Sequence, residues 1–384
     1  MPLFVLAHFG HHLLTALPIP MSPFIRDDFG LDYTQTGLVI SAFTLAYGIG
    51  QLPAGWLADR IGPRIVVTVG ICGVAIAGLL VGLSQTYVMA LVFLALMGLA
   101  GGGYHPSAPP VISSSVRPEN RGRALGFHMI GGSASFFLAP IIAAAIAAVW
   151  GWRGSFIGLA IPSMVFGLVL YVLMGRYVAT SKAVSRTTTA GQEDAPSPPG
   201  HLRRLVWFII LSTSSQSVVI SVIAFIPVFL VDRWGASQET AAAAMSLIYV
   251  CGLWVSPLAG YLSDRVGRIP MVLVVCFMAS PVIYLLNIVP YGIGIVVLLI
   301  LIGVFMYVRM PVSEAYIVTH ASERHRSTIL GIYFFGSMEG GGVLTPVIGY
   351  LIDHFGFYTS FSIAAAVVLG VTLICSVFLW GDRS

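Results

Sequence analysis

Three charged side chains fall inside otherwise apolar stretches: Arg309 and Glu314 in one stretch, and Glu339 in the next. A charge at membrane depth costs a few kcal/mol or more, so each should face a protein interior and be partnered there. Arg309 and Glu314 are five residues apart, a poor spacing for a direct pair along one helix. Arg309 is therefore expected to reach a group on a neighbouring helix. Two chemistries fit: a structural ion pair, or a site that binds solute or carries a proton. Glu339 follows Ser337 and Met338, precedes Gly340 to Gly342, and has no basic residue within a helical turn. It is the better proton carrier of the two carboxylates; Glu314, which shares a helix with Arg309, is the second.

Histidines form another group. His8, His11 and His12 lie in the first apolar stretch, His105 in the fourth and His128 in the fifth. Spacings of three and four place His8 on one helical face with His11 and His12. That face fits a polar cavity or an interfacial position. No carboxylate or cysteine is close in sequence, so no metal is assigned. His105 follows Gly101 to Gly103 and precedes Pro106, Pro109 and Pro110. Broken backbone in lipid is tolerated only where protein or water satisfies it, so close helix packing and a cavity lining both account for this run. Trp254 is the one tryptophan well inside an apolar stretch. The expected solute-binding set is His105, Trp254, Arg309 and Glu314.

The elements that must position these residues are membrane spans. Hydrophobic residues make up 57% of the chain and charged residues 9%, with a mean hydropathy of +0.93. A water-soluble globule carries about 25% charged residues, so this composition excludes one. Apolar stretches fall near 3–25, 34–57, 65–84, 87–112, 124–149 and 154–174, and again near 204–230, 239–262, 270–288, 293–319, 328–352 and 357–379. The reading is an all-α integral membrane protein of twelve transmembrane helices, since a span takes about 20 apolar residues. Residues 1–174 form the first six-helix half and 204–384 the second; residues 175–203, rich in Pro, Ser, Thr and charge, form a linker. With both termini in the cytoplasm, fifteen of the nineteen basic residues lie on the cytoplasmic side and three on the other, with Arg309 left inside a span. That bias fits the positive-inside rule. Cys72, Cys251, Cys276 and Cys375 all sit in apolar stretches without metal-ligand spacing, and read as buried small side chains. No basic stripe points to nucleic acid, no phosphate-binding loop is present, and no cofactor is implied.

The halves match at an offset of 205 residues. Gly55, Asp59, Arg60 and Gly62 align with Gly260, Asp264, Arg265 and Gly267; Gly98 and Pro106 align with Gly303 and Pro311; Gly151, Ser155 and Phe156 align with Gly356, Ser360 and Phe361. Each half has an even number of spans, so the repeats share an orientation and place a site at their interface near the midplane.

The paired loops GWLADRIGPR at 55–64 and GYLSDRVGRI at 260–269 resemble the signature loop of the major facilitator superfamily, with Pro63 where that family usually has a basic residue. RPENRGRALGF at 117–127 resembles the family's loop between its fourth and fifth helices. The resemblance covers essentially the whole chain. It implies that Asp59, Arg60, Asp264 and Arg265 form a cytoplasmic gate, with Asp59 set against the N-terminus of helix eleven; the alternative is a tight charged turn that only sets topology. GGGYHPSAPP at 101–110 and MIGGSASFFLAPIIAA at 129–144 resemble the fosmidomycin-resistance type of drug exporter, although Ala139-Pro140 stands where the drug-antiporter motif has Gly-Pro.

The expected function is secondary transport of a small solute by alternating access, not enzymatic chemistry. Proton-coupled export of a drug-like compound or metabolite leads; uptake by symport or facilitated diffusion is the alternative, and a non-transporting receptor or scaffold is the rival class. The expected setting is the inner membrane of a bacterium, the partners are solute, protons and lipid, and the chain is expected to act as a monomer.

Overall fold

The computed structural model describes residues 2–114, 116, 121–181, 201–321 and 326–380. Residues 182–200 of the expected linker and 117–120 of the expected loop lie outside them. Every element among the described residues is a helix. In chain order these are α1 (Pro2–Thr15), α2 (Ser22–Phe29), α3 (Tyr33–Ile61), α4 (Pro63–Gly82), α5 (Tyr87–Gly101), α6 (Tyr104–Ser114) and α7 (Arg121–Ser181). Then come α8 (His201–Trp234), α9 (Gln238–Tyr249), a 3-10 turn (Val250–Leu253), α10 (Val255–Val266), α11 (Arg268–Leu285), α12 (Ile293–His320) and α13 (Arg326–Trp380).

The 205-residue offset reappears in the backbone. Helix starts at Tyr33, Pro63 and Arg121 recur at Gln238, Arg268 and Arg326. Three left-handed glycines, Gly30 (φ 63°), Gly62 (φ 94°) and Gly151 (φ 69°), recur as Gly235 (φ 66°), Gly267 (φ 97°) and Gly356 (φ 72°). A side chain at any of these positions would be strained, so the repeat is enforced by local chemistry. Gly151 and Gly356 break α7 and α13, which are otherwise continuous over 61 and 55 residues.

The halves differ in where a helix breaks. The first half breaks between α5 and α6, where α12 runs on; the second breaks between α9 and α10, where α3 runs on. The reason lies in two swapped positions. Gly102 packs on the α3 backbone, its missing Cβ only 2.6 Å from the Tyr47 carbonyl oxygen, and Tyr47 carries the ring. In the second half Gly252 is the small residue, and the Tyr307 ring fills the space 2.6 Å from its missing Cβ. Gly98 and Gly102, four apart, bring α5 against α3 in the close contact that small residues permit between membrane helices; a Cβ on Gly98 would lie 2.3 Å from the Phe43 oxygen.

Among the described residues, eight helices are long and apolar enough to cross a bilayer, or nine if α9 and α10 count as one broken span. Large apolar side chains such as Leu52, Ile161, Val297 and Val377 are exposed, as lipid-facing residues should be. None of the four cysteines forms a disulfide among the described residues, and three of them are buried.

Contacts divide the chain into two compact units: residues 1–188 with 226–250, and residues 189–225 with 251–384. The first has a core that includes Leu14, Leu17, Phe43, Val74, Met97 and Phe156. At one end of it, α2 and the start of α3 meet the end of α8 and the start of α9. Tyr33 donates to Asp232 at 2.7 Å, Gln238 donates to Asp27, and Arg26 pairs with Asp232. Positions 33 and 238 are repeat equivalents, as are 27 and 232, so this interlock is a reciprocal contact between corresponding residues. Pairing with Asp232 holds the Arg26 guanidinium protonated beyond its ordinary range.

Candidate functional site

Each unit contains a buried polar cluster. In the second unit α12 carries Arg309, which is only 4% exposed. Its Nε donates to Gln216 Oε1 at 2.9 Å. Its Nη1 donates to the Ser212 carbonyl at 3.0 Å, the Ser212 hydroxyl at 2.6 Å and the Tyr333 hydroxyl at 3.2 Å. Ser313 lies 2.8 Å from Ser212 and completes the set. All these partners are uncharged, and no described carboxylate lies within 4.0 Å of the guanidinium. Beside Gln216, Cys276 and Met306 the guanidinium borders a cavity of about 10 Å³, room for one water. The sequence expectation that Arg309 reaches a neighbouring helix holds, with α8 and α13 supplying the partners. A structural ion pair, one of the two chemistries expected of it, is not formed among the described residues.

Glu314 is half-buried on the same helix and forms no ion pair among the described residues. Glu339, 3% exposed, sits on α13 where that helix presses on α8. The Ser217 hydroxyl reaches the Gly336 carbonyl at 3.0 Å and the Ser221 hydroxyl reaches the Gly341 carbonyl at 3.1 Å. Gly340 makes the approach possible, since a Cβ there would lie 2.1 Å from Ser217 Oγ.

In the first unit α1 brings His8, His11 and His12 into the bundle, all buried. His8 Nδ1 donates to the His128 carbonyl at 2.9 Å, and the His128 ring stacks on His8 at 4.2 Å. His128 Nδ1 donates in turn to the Phe4 carbonyl at 3.0 Å. His11 stacks on Tyr104 at 4.3 Å and meets the Tyr47 hydroxyl at 3.0 Å. His12 Nε2 lies 3.1 Å from His8 Nε2. The His105 ring stands 5.4 Å from His8 and 5.3 Å from His12. Gly132 admits the His8 ring, which a Cβ there would meet at 2.5 Å.

The clusters are built on corresponding positions. Tyr104, His11 and His128 become Arg309, Gln216 and Tyr333 after 205 residues, and in both units the α1- or α8-borne residue and the α7- or α13-borne residue flank the central one. The sequence singled out Arg309 and His128 but not Ser212, Gln216 and Tyr333. Applying the same offset to the histidines would have found Gln216 and Tyr333.

The remaining expected residues lie elsewhere. Trp254 stands at the break before α10 and is 51% exposed. Asp264, with its side chain 69% exposed, sits 3.6 Å from Arg268 one turn on. Arg265 stacks over Tyr261 at 4.5 Å and Arg60 over Trp56 at 4.1 Å. The Asp59 side chain lies outside the described residues.

Relatives of known type match over nearly the whole length. The chain is 26% identical to the probable sulfoacetate transporter SauU of Cupriavidus necator, over 93% of this chain and 88% of that one. It is 26% identical to the multidrug resistance protein MdtG of a Rahnella strain, over 92% and 87%. A crystal structure of a D-xylose-proton symporter superposes with a TM-score of 0.77 and 18% identity, covering 98% of this chain and 97% of that one. Residues 4–237 and 210–384 each match the Major Facilitator Superfamily. With a repeated all-helical architecture and buried polar clusters in its apolar helices, the chain belongs to the Major Facilitator Superfamily, as a multi-pass membrane transporter and not an enzyme.

Proposed function

We propose that this protein is a proton-coupled secondary transporter of a small organic anion, acting by alternating access as a monomer in a bacterial inner membrane. Arg309 carries the reading. A guanidinium is always charged and only donates, and this one is buried among uncharged acceptors. A carboxylate or sulfonate is the natural counter-charge, since the planar fork matches such groups in two parallel hydrogen bonds. The likeness to a sulfoacetate transporter supports the same solute class. Glu314, half-buried on the same helix as Arg309, is the second solute contact in this reading. Asp59, Arg60, Asp264 and Arg265 are the cytoplasmic gate.

The membrane path behind this reading has twelve spans. α7 and α13 each cross twice, turning at Gly151 and Gly356; α1–α2, α5–α6 and α9–α10 each serve as one span. The arginine distribution then sets both termini in the cytoplasm. Protons enter through Glu339, which Glu339→Gln isolates because glutamine keeps the shape but cannot titrate. Purified protein in sealed vesicles under an imposed proton gradient should accumulate small sulfonates or carboxylates, sulfoacetate being the first probe. Glu339→Gln should abolish gradient-driven accumulation and retain exchange at equal pH. Binding without flux would instead mark a receptor, and accumulation unchanged in Glu339→Gln would move the coupling to Glu314.

A second reading, proton-coupled export of a drug-like compound, is favoured by the likeness to MdtG. Cationic or neutral drugs driven outward in the same vesicles, with no response to organic anions, would select it.

A further inference from the structure

The histidine cluster of the first unit has a feature that solute recognition by Arg309 leaves unexplained. His8 Nδ1 faces the His128 carbonyl oxygen at 2.9 Å. A carbonyl only accepts, so this nitrogen carries the proton and Nε2 of the neutral ring is bare. His12 Nδ1 faces Thr15 Oγ1 at 2.9 Å, and that hydroxyl lies 3.3 Å from the His11 carbonyl. When the hydroxyl donates to the carbonyl, His12 Nδ1 must donate to the hydroxyl, and its Nε2 is bare as well. The two Nε2 atoms stand 3.1 Å apart. Two lone pairs at that distance repel unless a cation lies between them.

We propose that His8, His12 and His105 form a binding site for a divalent transition metal of the zinc type. One nitrogen from each of the three rings falls within 4.8 Å of the other two. Nitrogens bound to tetrahedral zinc at about 2.0–2.1 Å stand roughly 3.3 Å apart. The His8–His12 edge is already near that value, and a shift of about 1–1.5 Å in the His105 ring closes the others. Neutral imidazole is the commonest ligand for such ions, and three with a fourth position open is a known zinc arrangement. The outer hydrogen bonds have the expected form, since metal-bound histidines donate their second N–H to a carbonyl or another acceptor. Here the acceptors are the His128 carbonyl and Thr15.

The helix ends act on this point in opposite senses, since α6 starts at Tyr104 and puts its positive N-terminal end at His105. α1 ends at Thr15, three residues beyond His12, and α5 ends at Gly101, four residues before His105. Helix C-termini carry the negative end of the macrodipole, and broken helices in transporters use such ends to hold cations. No carboxylate among the described residues belongs to the cluster, so the fourth position takes water, hydroxide or another small anion. The proposal does not depend on which solute Arg309 recognises.

The test uses the full chain, free of any histidine tag, in detergent. Calorimetric titration with zinc chloride, and metal analysis after dialysis, should give one ion per chain. Cobalt(II) should show the strong visible absorption of a tetrahedral site. His12→Gln and His105→Gln should each weaken zinc binding by about tenfold or more. Gly132→Ala keeps all three ligands and pushes a methyl group into the His8 ring; it should weaken binding too. His354→Gln, on α13, should leave affinity unchanged. Helix content and elution volume verify folding for each variant. Absence of stoichiometric zinc in the wild-type protein overturns the proposal and leaves the His8–His12 contact as a shared proton. Equal affinity in wild type, His12→Gln and His105→Gln places the metal elsewhere and overturns it as well.

Discussion

Tyr104 and Arg309 occupy the same place in the two repeats, and the residues around them correspond, yet the clusters they centre are chemically opposite. Arg309 donates in every hydrogen bond it makes. The first-unit cluster consists of imidazoles and phenols, groups that donate or accept according to tautomer and rotor. A fixed donor of permanent charge selects anions. Imidazoles that turn bare ring nitrogens to one another suit a cation, as proposed above. Under the two proposals above, one helical plan has been duplicated with its side chains changed to give sites of opposite preference.

Removal of the guanidinium is expected to break this contrast most strongly. Arg309→Gln should lower affinity for an anionic solute about 100-fold, roughly 2–3 kcal/mol, the worth of one or two charge-assisted hydrogen bonds. Arg309→Lys keeps the charge and loses the planar fork, so it should fall between the two. Equilibrium binding on purified protein checks both, with expression and elution profile as controls; wild-type affinity in the two variants would remove Arg309 from the site.

Packing offers a sharper, smaller test at another corresponding pair. A Cβ on Gly131 would lie 2.0 Å from the Val5 carbonyl oxygen, which is backbone and has nowhere to move. At the equivalent Gly336 the nearest atom is the Thr213 methyl at 3.1 Å. Gly131→Ala should therefore destabilise by about 1–3 kcal/mol, as overpacking does, and Gly336→Ala by less than about 1 kcal/mol. Thermal unfolding in detergent ranks them, and a reversed order would mean that α1 is free to shift.

The smallest expected change is at Tyr104. Its buried hydroxyl has no hydrogen-bond partner among the described residues, so Tyr104→Phe removes a polar group that contributes nothing. Stability should be unchanged or rise by up to about 1 kcal/mol. Tyr333→Phe, by contrast, takes an acceptor from Arg309 and should cost about 1–2 kcal/mol. Both are read from the same unfolding curves.

Much of the fold was legible from residue identity because its requirements are local. Left-handed backbone at Gly30, Gly62 and Gly151 tolerates little but glycine, so the same glycines 205 residues later reveal the repeat without any contact being known. Apolar stretches must satisfy their backbone in helices, which made the all-helical class legible, while the described residues show eight candidate spans, or nine with one broken pair. A charge such as Arg309 in such a stretch has to be partnered, so its reach to another helix followed from energetics. Its partners did not. Ser212, Gln216 and Tyr333 are ordinary residues from helices about 97 and 24 positions away, and only the packing of α8 and α13 on α12 selects them. His128 has the same history: 120 residues from His8, it joins the cluster because Gly131 and Gly132 let α1 lie directly on α7. Residue type determined which groups needed partners; the close approach of distant helices, set by a few missing Cβ atoms, decided which partners they found.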